Sequence, residues 1–230
     1  MKVLIVGATG SIGAEVLRQC LAHPRISRVI VFVRRELPAD VSGHSKLESV
    51  LVKDFSEWPE EVLRAHSDAV AMVWTMGTYE GSPAVDLEYP LAFQTAMARV
   101  LEGQPLKERF RYIHLSGKLS NRNQDQGLWF LDAPRKLKGL QETRALKFAE
   151  IHASVWQLFI IRPAGVLNKN MMAPGVIGAV MGENWSIQME ELGAFVTYLA
   201  VDGQEDSVIE NARMVRKGRE LLEMQKATES

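Results

Sequence analysis

A glycine-rich segment directly after the first apolar run carries the most specific chemistry in the sequence. It reads Gly7-Ala8-Thr9-Gly10-Ser11-Ile12-Gly13, with its glycines three residues apart. A dinucleotide site needs one glycine for a sharp turn, one where a pyrophosphate approaches bare backbone, and one where a helix packs on a strand. The free amides at the start of that helix then bind the anion. Because an apolar strand precedes the segment and a helical pattern follows it, the spacing predicts a dinucleotide-binding turn.

The end of the second apolar run indicates which dinucleotide binds. Arg34 and Arg35 follow that run, and Glu36 comes one residue later. NAD sites usually place a carboxylate here for the ribose hydroxyls, whereas NADP sites place an arginine for the 2′-phosphate. A guanidinium is planar, always charged and matched to phosphate geometry. We therefore predict NADP(H) as the cofactor, and we expect one of the two arginines to be solvated surface.

The glycine segment resembles the fingerprint of extended and atypical short-chain dehydrogenase/reductases, in particular the small NAD(P)-binding proteins of the TIP30-like and NmrA-like groups. The resemblance covers most of the chain, although only the glycine segment is strongly specific. The other matching segments follow in the expected order: Val31–Arg35, Val52–Phe55, Trp74–Thr78, Tyr112–Ser116, Lys138–Glu142 and Ile161–Pro163.

The resemblance implies further residues around the cofactor. Asp54 would contact the adenine edge, and Thr75, Met76 and Gly77 would line the ribose. The pair Arg162-Pro163 would end the sixth strand beside the nicotinamide.

The resemblance also implies a catalytic serine and a tyrosine–lysine pair, of which the tyrosine is missing. Ser116 matches the serine that polarises a substrate carbonyl, and Lys138 matches the lysine that holds the nicotinamide ribose. The tyrosine donates the proton and lies four residues before the lysine, on the same face of its helix. That position, 134, is proline, and the chain has no tyrosine between Tyr112 and Tyr198.

Three functions are compatible with this incomplete set. The first is an NADP-dependent reductase of a small apolar carbonyl or alkene compound, which takes its proton from Ser116, Lys138, water or Tyr79. The second is a nucleotide-binding scaffold reused for other chemistry, and the third is a non-enzymatic NADP-binding sensor. Hydride transfer is mainly a property of the cofactor, so a missing proton donor weakens the first function without removing it. We predict the reductase, and the resemblance implies specialised metabolism as its setting.

The catalytic and binding segments must be positioned by an alternation of strands and helices, which is typical of a doubly wound parallel sheet. We predict an α/β Rossmann fold in one domain, 1–230, with a core over 1–165 and a small C-terminal substrate lobe over 166–230. The predicted strands cover 2–6, 28–33, 49–52, 69–75, 110–115, 155–161 and 185–189. The predicted helices cover 11–22, 57–65, 84–101, 132–152, 190–200 and about 211–224.

Local signals complete these predictions. Ser56 and Asp132 are expected to cap their helices, and Pro90 is expected to interrupt the helix over 84–101. The polar loop 120–127 is a candidate mobile segment, and Trp129 and Phe130 are expected to be buried core aromatics or walls of an apolar pocket. Four further large side chains could line that pocket: Met171, Met172, Met181 and Trp185.

Composition excludes several other classes of protein. The 230 residues include 27 basic and 28 acidic ones, which gives a formal charge of -1 and argues against a nucleic-acid or anionic-membrane surface. A single cysteine, Cys20, excludes an internal disulfide framework, and the five histidines lack metal-ligand spacing. No apolar stretch approaches the roughly 20 residues of a membrane span, and no secretory signal is visible. We expect a cytoplasmic protein that binds a small-molecule substrate, binds no metal and could form a homodimer.

Overall fold

A computed structural model of the chain describes residues 1–35, 37, 43–105, 108–168 and 180–229. Within these residues the strands are β1 (Lys2–Val6), β2 (Arg28–Val33), β3 (Leu47–Leu51), β4 (Ala71–Trp74), β5 (Phe110–Leu115), β6 (Trp156–Arg162), β7 (Gly165–Leu167), β8 (Ser186–Gln188) and β9 (Val208–Glu210). Seven of them form one parallel sheet in the order β3-β2-β1-β4-β5-β6-β9, and β7 pairs with β8 in a separate small sheet.

The helices follow the strands in alternation. They are α1 (Ser11–Ala22), α2 (Glu60–Arg64), α3 (Tyr89–Glu102), α4 (Asp132–Ile151), α5 (Met189–Val201) and α6 (Asn211–Glu229), and a π-helical turn at Ala84–Glu88 leads into α3. No helix in the described ranges is long and apolar enough to cross a membrane.

Helices cover both faces of the large sheet, as a parallel sheet requires. On one face, Val16 of α1 and Phe195 of α5 belong to a buried apolar cluster with side chains of β1 and β2. On the other face, Phe93 of α3 and Ala145 of α4 belong to a second buried cluster. The predicted doubly wound α/β fold is therefore confirmed.

The segment after residue 165 contributes to this core as well as to the cavity described below. Helix α5 buries ten of its 13 residues and packs against α1. Strand β9 extends the large sheet beside β6. The β7–β8 pair is attached to the same core, since Ile187 of β8 belongs to the first cluster and Val166 of β7 packs against it. Strands β7 and β9 were missed because three residues are too few to show a strand period.

Three local expectations were wrong. Ser56 does not cap α2, because its amide and hydroxyl both donate to Asp54 Oδ1 and the N-cap residue is Pro59. The N-cap of α4 is Leu131, with a left-handed φ of 48°, and Asp132 is the first helical residue. Pro90 does not break the helical segment, because the π-helical turn Ala84–Glu88 leads directly into α3 and Pro90 lies in the first turn of α3.

Candidate functional site

The sequence-predicted residues lie along one edge of the large sheet. Because all seven strands run parallel, their carboxyl ends meet at this edge. In the order of the sheet, Asp54 follows β3, the two arginines follow β2, the glycine segment follows β1, Thr75–Gly77 follow β4, Ser116 follows β5 and Pro163 follows β6. The glycine segment and Thr75–Gly77 flank the point where the strand order reverses. Ligands of open α/β sheets bind at that point.

The glycine segment forms a turn that only small residues fit. Gly7 has a φ of +90°, and a Cβ atom there would lie 2.7 Å from the backbone N of Met76. A Cβ atom on Gly13 would lie 2.0 Å from the carbonyl oxygen of Gly7. Gly10 is different, because the nearest atom to its Cβ position is Gly7 O at 3.4 Å and its φ is -81°. Close packing therefore explains why positions 7 and 13 are glycine. At Gly10 the backbone is not crowded, so a ligand can approach it.

The start of α1 is open to an anion. Gly10 is its N-cap and makes no side-chain cap, and the first turn contains no acidic residue. Thr9, Gly10 and Ser11 are exposed. The helix dipole and the free amides of the first turn therefore face solvent without a competing carboxylate.

The end of β2, next to β1 in the sheet, carries two cations, and Asp54 follows β3. Arg34 and Arg35 are exposed, and neither has an ion-pair partner among the residues that the structure describes. Asp54 is exposed, and the hydrogen bonds from the hydroxyl and amide of Ser56 lower the pKa of its carboxyl. Glu36 lies outside the described residues.

A cavity of about 590 Å³ opens between the glycine segment and the carboxyl ends of β4, β5 and β6. Eight predicted cofactor-binding residues line it, namely Gly10, Ser11, Ile12, Gly13, Thr75, Gly77, Lys138 and Pro163. Ser116 and Tyr79 line it too. Gly7, Thr9, Met76, Arg34, Arg35 and Asp54 do not belong to its lining. The cavity thus joins the proposed pyrophosphate end to the proposed catalytic residues.

Asp86 is a buried carboxylate at the wall of this cavity, and the sequence analysis missed it. Its side chain is 2% exposed, and its Oδ1 atom accepts a hydrogen bond from Lys138 Nζ at 3.2 Å. It also accepts hydrogen bonds from the backbone amides of Thr78 and Ser82 and from the hydroxyl of Thr78. Burial alone would raise the pKa of Asp86, but these hydrogen bonds and the Lys138 charge outweigh it and lower the pKa. One carboxylate thus positions both the lysine and the loop that carries Tyr79.

Glu142 is a second buried carboxylate that the sequence analysis did not assign to the site. It is fully buried and accepts the Ser116 hydroxyl, with 2.5 Å between Ser116 Oγ and Glu142 Oε1. Arg122 and Arg162 also donate to it. Burial would raise the pKa of Glu142, but the hydrogen bonds from Arg162 and Ser116 and the Arg162 charge lower it. Glu142 is therefore ionised and can only accept hydrogen bonds.

Arg162 requires a correction, because its guanidinium does not face the cavity. It is the last residue of β6 and pairs with Glu142 and, at 3.1 Å, with Glu210 of β9. Its charge is thus used to hold the neighbouring carboxylates, and only the following Pro163 lines the cavity. Of the pair predicted to end the sixth strand beside the nicotinamide, Pro163 belongs to the cavity lining and Arg162 does not.

Pro134 stands where the family tyrosine would be and lines the cavity. The loop after β4 touches it at Gly81, whose φ is +82° and whose Cβ position lies 2.9 Å from Pro134 Cα. Tyr79, on the same loop, lines the cavity but is 94% exposed. Its hydroxyl makes no hydrogen bond among the described residues, so the structure does not hold it in a fixed donor position.

His114 lies two residues before Ser116 in β5 and is buried, with its Nδ1 atom unpaired among the described residues. Burial, with the nearby Lys138 charge, lowers the pKa of His114 to about 3. The ring is therefore neutral at physiological pH and adds no positive charge beneath the site.

The apolar residues expected to form the pocket wall divide into two groups. Met181 and Trp185 line the cavity, and Met171 and Met172 lie outside the described residues. Trp129 and Phe130 are neither buried nor part of the lining, with exposed fractions of 96% and 48%. The expectation of buried core aromatics there was wrong, because the residues lie in the loop that precedes α4 and project away from both core clusters.

The loop 120–127 is fastened to α4. Asn121 N donates to Arg135 O, and the Gln124 side chain donates to Lys136 O. A Cβ atom on Gly139 would lie 1.8 Å from Asn121 O, so the loop backbone rests directly on the helix. These contacts do not support the expected mobile segment.

Asp86 and Glu142 escaped sequence analysis for a common reason. Each lies in a helical segment, where an acidic residue is usually solvated. Their partners are 52 and 26 residues away in sequence. The only available signal was the place of Glu142 in the Lys138–Glu142 segment, one turn of helix after the lysine.

Comparisons with known proteins agree with this geometry. A family model described as "Polysaccharide biosynthesis protein" matches residues 3–57, which include the glycine segment, the two arginines and Asp54. The chain is 24% identical over 211 residues to "Protein FMP52, mitochondrial" of Debaryomyces hansenii, covering 89% of this chain and 84% of that protein.

Two solved structures share the fold. One is Gre2 of Candida albicans in complex with NADPH, at 14% identity and a TM-score of 0.62, covering 92% of this chain and 78% of that one. The other is WbmF of Bordetella bronchiseptica in complex with NAD+, at 14% identity and a TM-score of 0.62, covering 95% and 77%. The resemblance to extended short-chain dehydrogenase/reductases is confirmed at the level of the Rossmann fold.

One expectation is contradicted by these comparisons. The chain was predicted to be cytoplasmic, but its D. hansenii relative is named as a mitochondrial protein. Balanced charge and the lack of a visible secretory signal could not separate these two locations.

Proposed function

We propose that the chain is an NADP(H)-dependent oxidoreductase of a small, mostly apolar carbonyl or alkene compound. The observation that carries this proposal is the single cavity that joins the glycine turn to Ser116 and Lys138. The similar structures bind NADPH in Gre2 and NAD+ in WbmF, which supports a nicotinamide dinucleotide without choosing between the two.

The residues of the glycine turn fit such a cofactor. The turn is so tight that a Cβ on Gly7 or Gly13 would meet backbone atoms, and it leads into a helix start without a carboxylate. Gly7, Thr9, Gly10, Ser11, Ile12 and Gly13 would hold the pyrophosphate. Arg34 and Arg35 have no acidic partner among the described residues, so either guanidinium is free to bind a 2′-phosphate. Asp54 would lie at the adenine, and Thr75, Met76 and Gly77 at the ribose.

The chemistry at the other end of the cavity needs a proton as well as the hydride that bound NADPH would supply. Ser116 donates its only proton to Glu142, which leaves its oxygen as an acceptor. Lys138 donates one of its three N–H groups to Asp86, and two remain for a ligand in the cavity. We assign to Lys138 the proton that a carbonyl oxygen takes up on reduction. Solvent would return that proton through the open cavity.

Asp86 acts on this step as a positioning residue. Its carboxylate accepts a hydrogen bond from Lys138 Nζ at 3.2 Å and fixes the place of the ammonium. Asp86 also accepts hydrogen bonds from the Thr78 and Ser82 amides, which hold the loop after β4 beside the lysine. Tyr79 on that loop is the alternative proton donor.

The proposal is tested first by cofactor binding. The thermal unfolding temperature is measured with NADPH, with NADH and without ligand, for the wild-type chain and for Arg34→Ala and Arg35→Ala. We expect NADPH to raise the unfolding temperature more than NADH does, and at least one variant to lose that difference. The exposed Arg144 provides a matched control, since Arg144→Gln removes a charge from the far part of α4. Equal shifts for the two nucleotides would overturn the NADP assignment.

Turnover then separates oxidoreduction from the two alternatives. NADPH oxidation at 340 nm is followed with small apolar aldehydes, ketones and enones, and product is quantified in parallel. Equimolar NADPH loss and product supports the proposal, with Lys138→Met lowering the rate. Product without NADPH loss would favour the reused scaffold, and tight NADPH binding without any product would favour the sensor.

A further inference from the structure

The charged residues that line the cavity are all basic. They are Lys118, Arg135 and Lys138, and no aspartate or glutamate belongs to the described lining. The stretch 169–179, which the structure does not describe, contains no acidic residue in its sequence. The chain has nearly equal numbers of acidic and basic residues, yet only basic ones belong to the described lining of this cavity. Lys138 is neutralised by Asp86, but the other two cations need a separate explanation.

Arg135 is held in place without a carboxylate. Its Nε donates to Leu119 O at 2.7 Å, and its Nη1 donates to Phe130 O at 3.2 Å. These two bonds use two of its five N–H groups and fix the plane of the guanidinium. The neighbouring acid, Asp132, pairs instead with Lys136 at 3.1 Å and accepts the Leu128 amide. Arg135 therefore offers fixed donors and a full positive charge at the cavity wall.

Lys118 is the second cation without an acidic partner in the described chain. Its backbone amide donates to Pro163 O at 2.9 Å, which fixes its position at the ends of β5 and β6. Its ammonium lies 5.1 Å from the centre of the Trp185 ring, in a cation–π contact that orients the charge but does not neutralise it.

Lys118 lies too far along the sheet for its backbone to belong to the pyrophosphate turn. The glycine turn follows β1, whereas Lys118 follows β5 and contacts the end of β6, with β4 lying between β1 and β5. Neighbouring strands are about 4.8 Å apart, so roughly 10 Å separates the end of β1 from the end of β5. Arg135 is tied to the same loop, because its Nε donates to the carbonyl oxygen of Leu119, the residue after Lys118.

We infer that the cavity selects an organic anion, in which a carboxylate on an apolar body is held by Arg135 and Lys118. The apolar part would pack on side chains that line the same wall, such as Leu119, Val166 and Met181. A guanidinium with fixed donors and a nearby ammonium suit a carboxylate, because charge-assisted hydrogen bonds are the strongest available at such a site. This inference rests on the proposed function for the assignment of the cavity to substrate.

The test compares two ligands of equal shape and different charge, 4-phenylbutyrate and 4-phenylbutanamide. Their dissociation constants are measured by calorimetry on the full chain, with and without saturating NADPH. We expect the carboxylate to bind at least ~10-fold more tightly than the amide, as one or two charge-assisted hydrogen bonds provide. Lys118→Gln and Arg135→Gln should each shrink that ratio, the double variant should bring it below about 2-fold, and Arg144→Gln should leave it unchanged.

Equal binding of the two ligands by the wild-type chain would overturn the inference, and so would a preference for the carboxylate that survives in the double variant. A loss of NADPH affinity of more than about 10-fold in Lys118→Gln would also overturn it, because Lys118 would then serve the cofactor. Arg135→Lys guards against misfolding of the glutamine variant, because it keeps the charge and should retain part of the preference. A chain that prefers the carboxylate but binds neither NADPH nor NADH would support the anion site and contradict the proposed function instead.

Discussion

Ser116 and Glu142 form a short hydrogen bond in which the serine is the donor. The distance between Ser116 Oγ and Glu142 Oε1 is 2.5 Å, and the Ser120 hydroxyl lies 2.8 Å from the same serine oxygen. Because Glu142 is ionised and Ser116 has one proton, Ser120 must donate to Ser116. A serine at this position is expected to donate to a substrate carbonyl, but here its proton is already used.

Replacing Glu142 should destabilise the fold strongly. Glu142→Gln removes a fully buried charge that binds Arg162, Arg122 and Ser116, and it leaves Arg162 with Glu210 as its remaining partner. Loss of one member of a buried ion pair costs about 3 to 5 kcal/mol. Urea unfolding followed by circular dichroism measures this loss. The exposed Glu150 is the control, since Glu150→Gln should change the free energy of unfolding by less than about 0.5 kcal/mol. Similar values for both variants would contradict the role of Glu142.

Alanine substitutions at two glycines of the turn should affect different properties, the free energy of unfolding at Gly13 and the NADPH affinity at Gly10. Gly13→Ala places a Cβ 2.0 Å from Gly7 O and should cost at least about 2 kcal/mol of unfolding free energy. Gly10→Ala has room, with 3.4 Å to Gly7 O, and should cost about 1 kcal/mol or less. It should nevertheless weaken NADPH binding ~10-fold or more, because the methyl group stands where the pyrophosphate approaches. Chemical unfolding and NADPH fluorescence titration measure the two effects. A Gly10→Ala variant with unchanged NADPH affinity would remove the pyrophosphate from this turn.

Stability should fall with acidification because of His114. Burial holds the pKa of His114 at about 3 in the folded chain, against 6.5 for an ordinary histidine. Between these values the unfolded chain binds a proton that the folded chain does not, so stability is complete above pH 6.5 and decreases as the pH falls. The slope contributed by this group is at most about 1.4 kcal/mol per pH unit. Unfolding free energies from pH 7.5 to 4 should show a shallower slope in His114→Gln, whereas exposed His44→Gln should keep the wild-type slope. Parallel curves for His114→Gln and wild type would show that the ring titrates normally.

Restoring the missing hydroxyl should raise reductase turnover. Pro134 lies in the first turn of α4, four residues before Lys138 and facing the same cavity. Pro134→Tyr places a phenol next to the lysine, and a positioned proton donor typically contributes ~10²-fold or more. Pro134→Phe is the control, since it adds the same ring without the hydroxyl. Rates of NADPH oxidation with one substrate should rise for the tyrosine variant alone. Equal rates in the two variants would indicate that proton transfer does not limit turnover.

The order of the strands and the place of the glycine turn were accessible from sequence because local patterns determine them. The bounds of β1, α1, β2 and β5 agree with their predictions to the residue. The electrostatic partners were not accessible, because Asp86 and Lys138 meet only when α4 packs beside the π-helical turn. The prediction for Trp129 was wrong because large aromatic residues are usually buried. The path of its loop, which the sequence pattern does not reveal, leaves it 96% exposed.

The contact between Gly81 and position 134 has a consequence for how this site can diversify. The atoms nearest to a Cβ on Gly81 include Cα and N of Pro134, which every residue type possesses. Residue 81 must therefore stay glycine whatever side chain occupies position 134. A substitution at 134, in contrast, keeps the backbone that Gly81 contacts, so position 134 is free to change. Among related sequences with this backbone we therefore expect residue 81 to stay glycine while the residue at 134 varies.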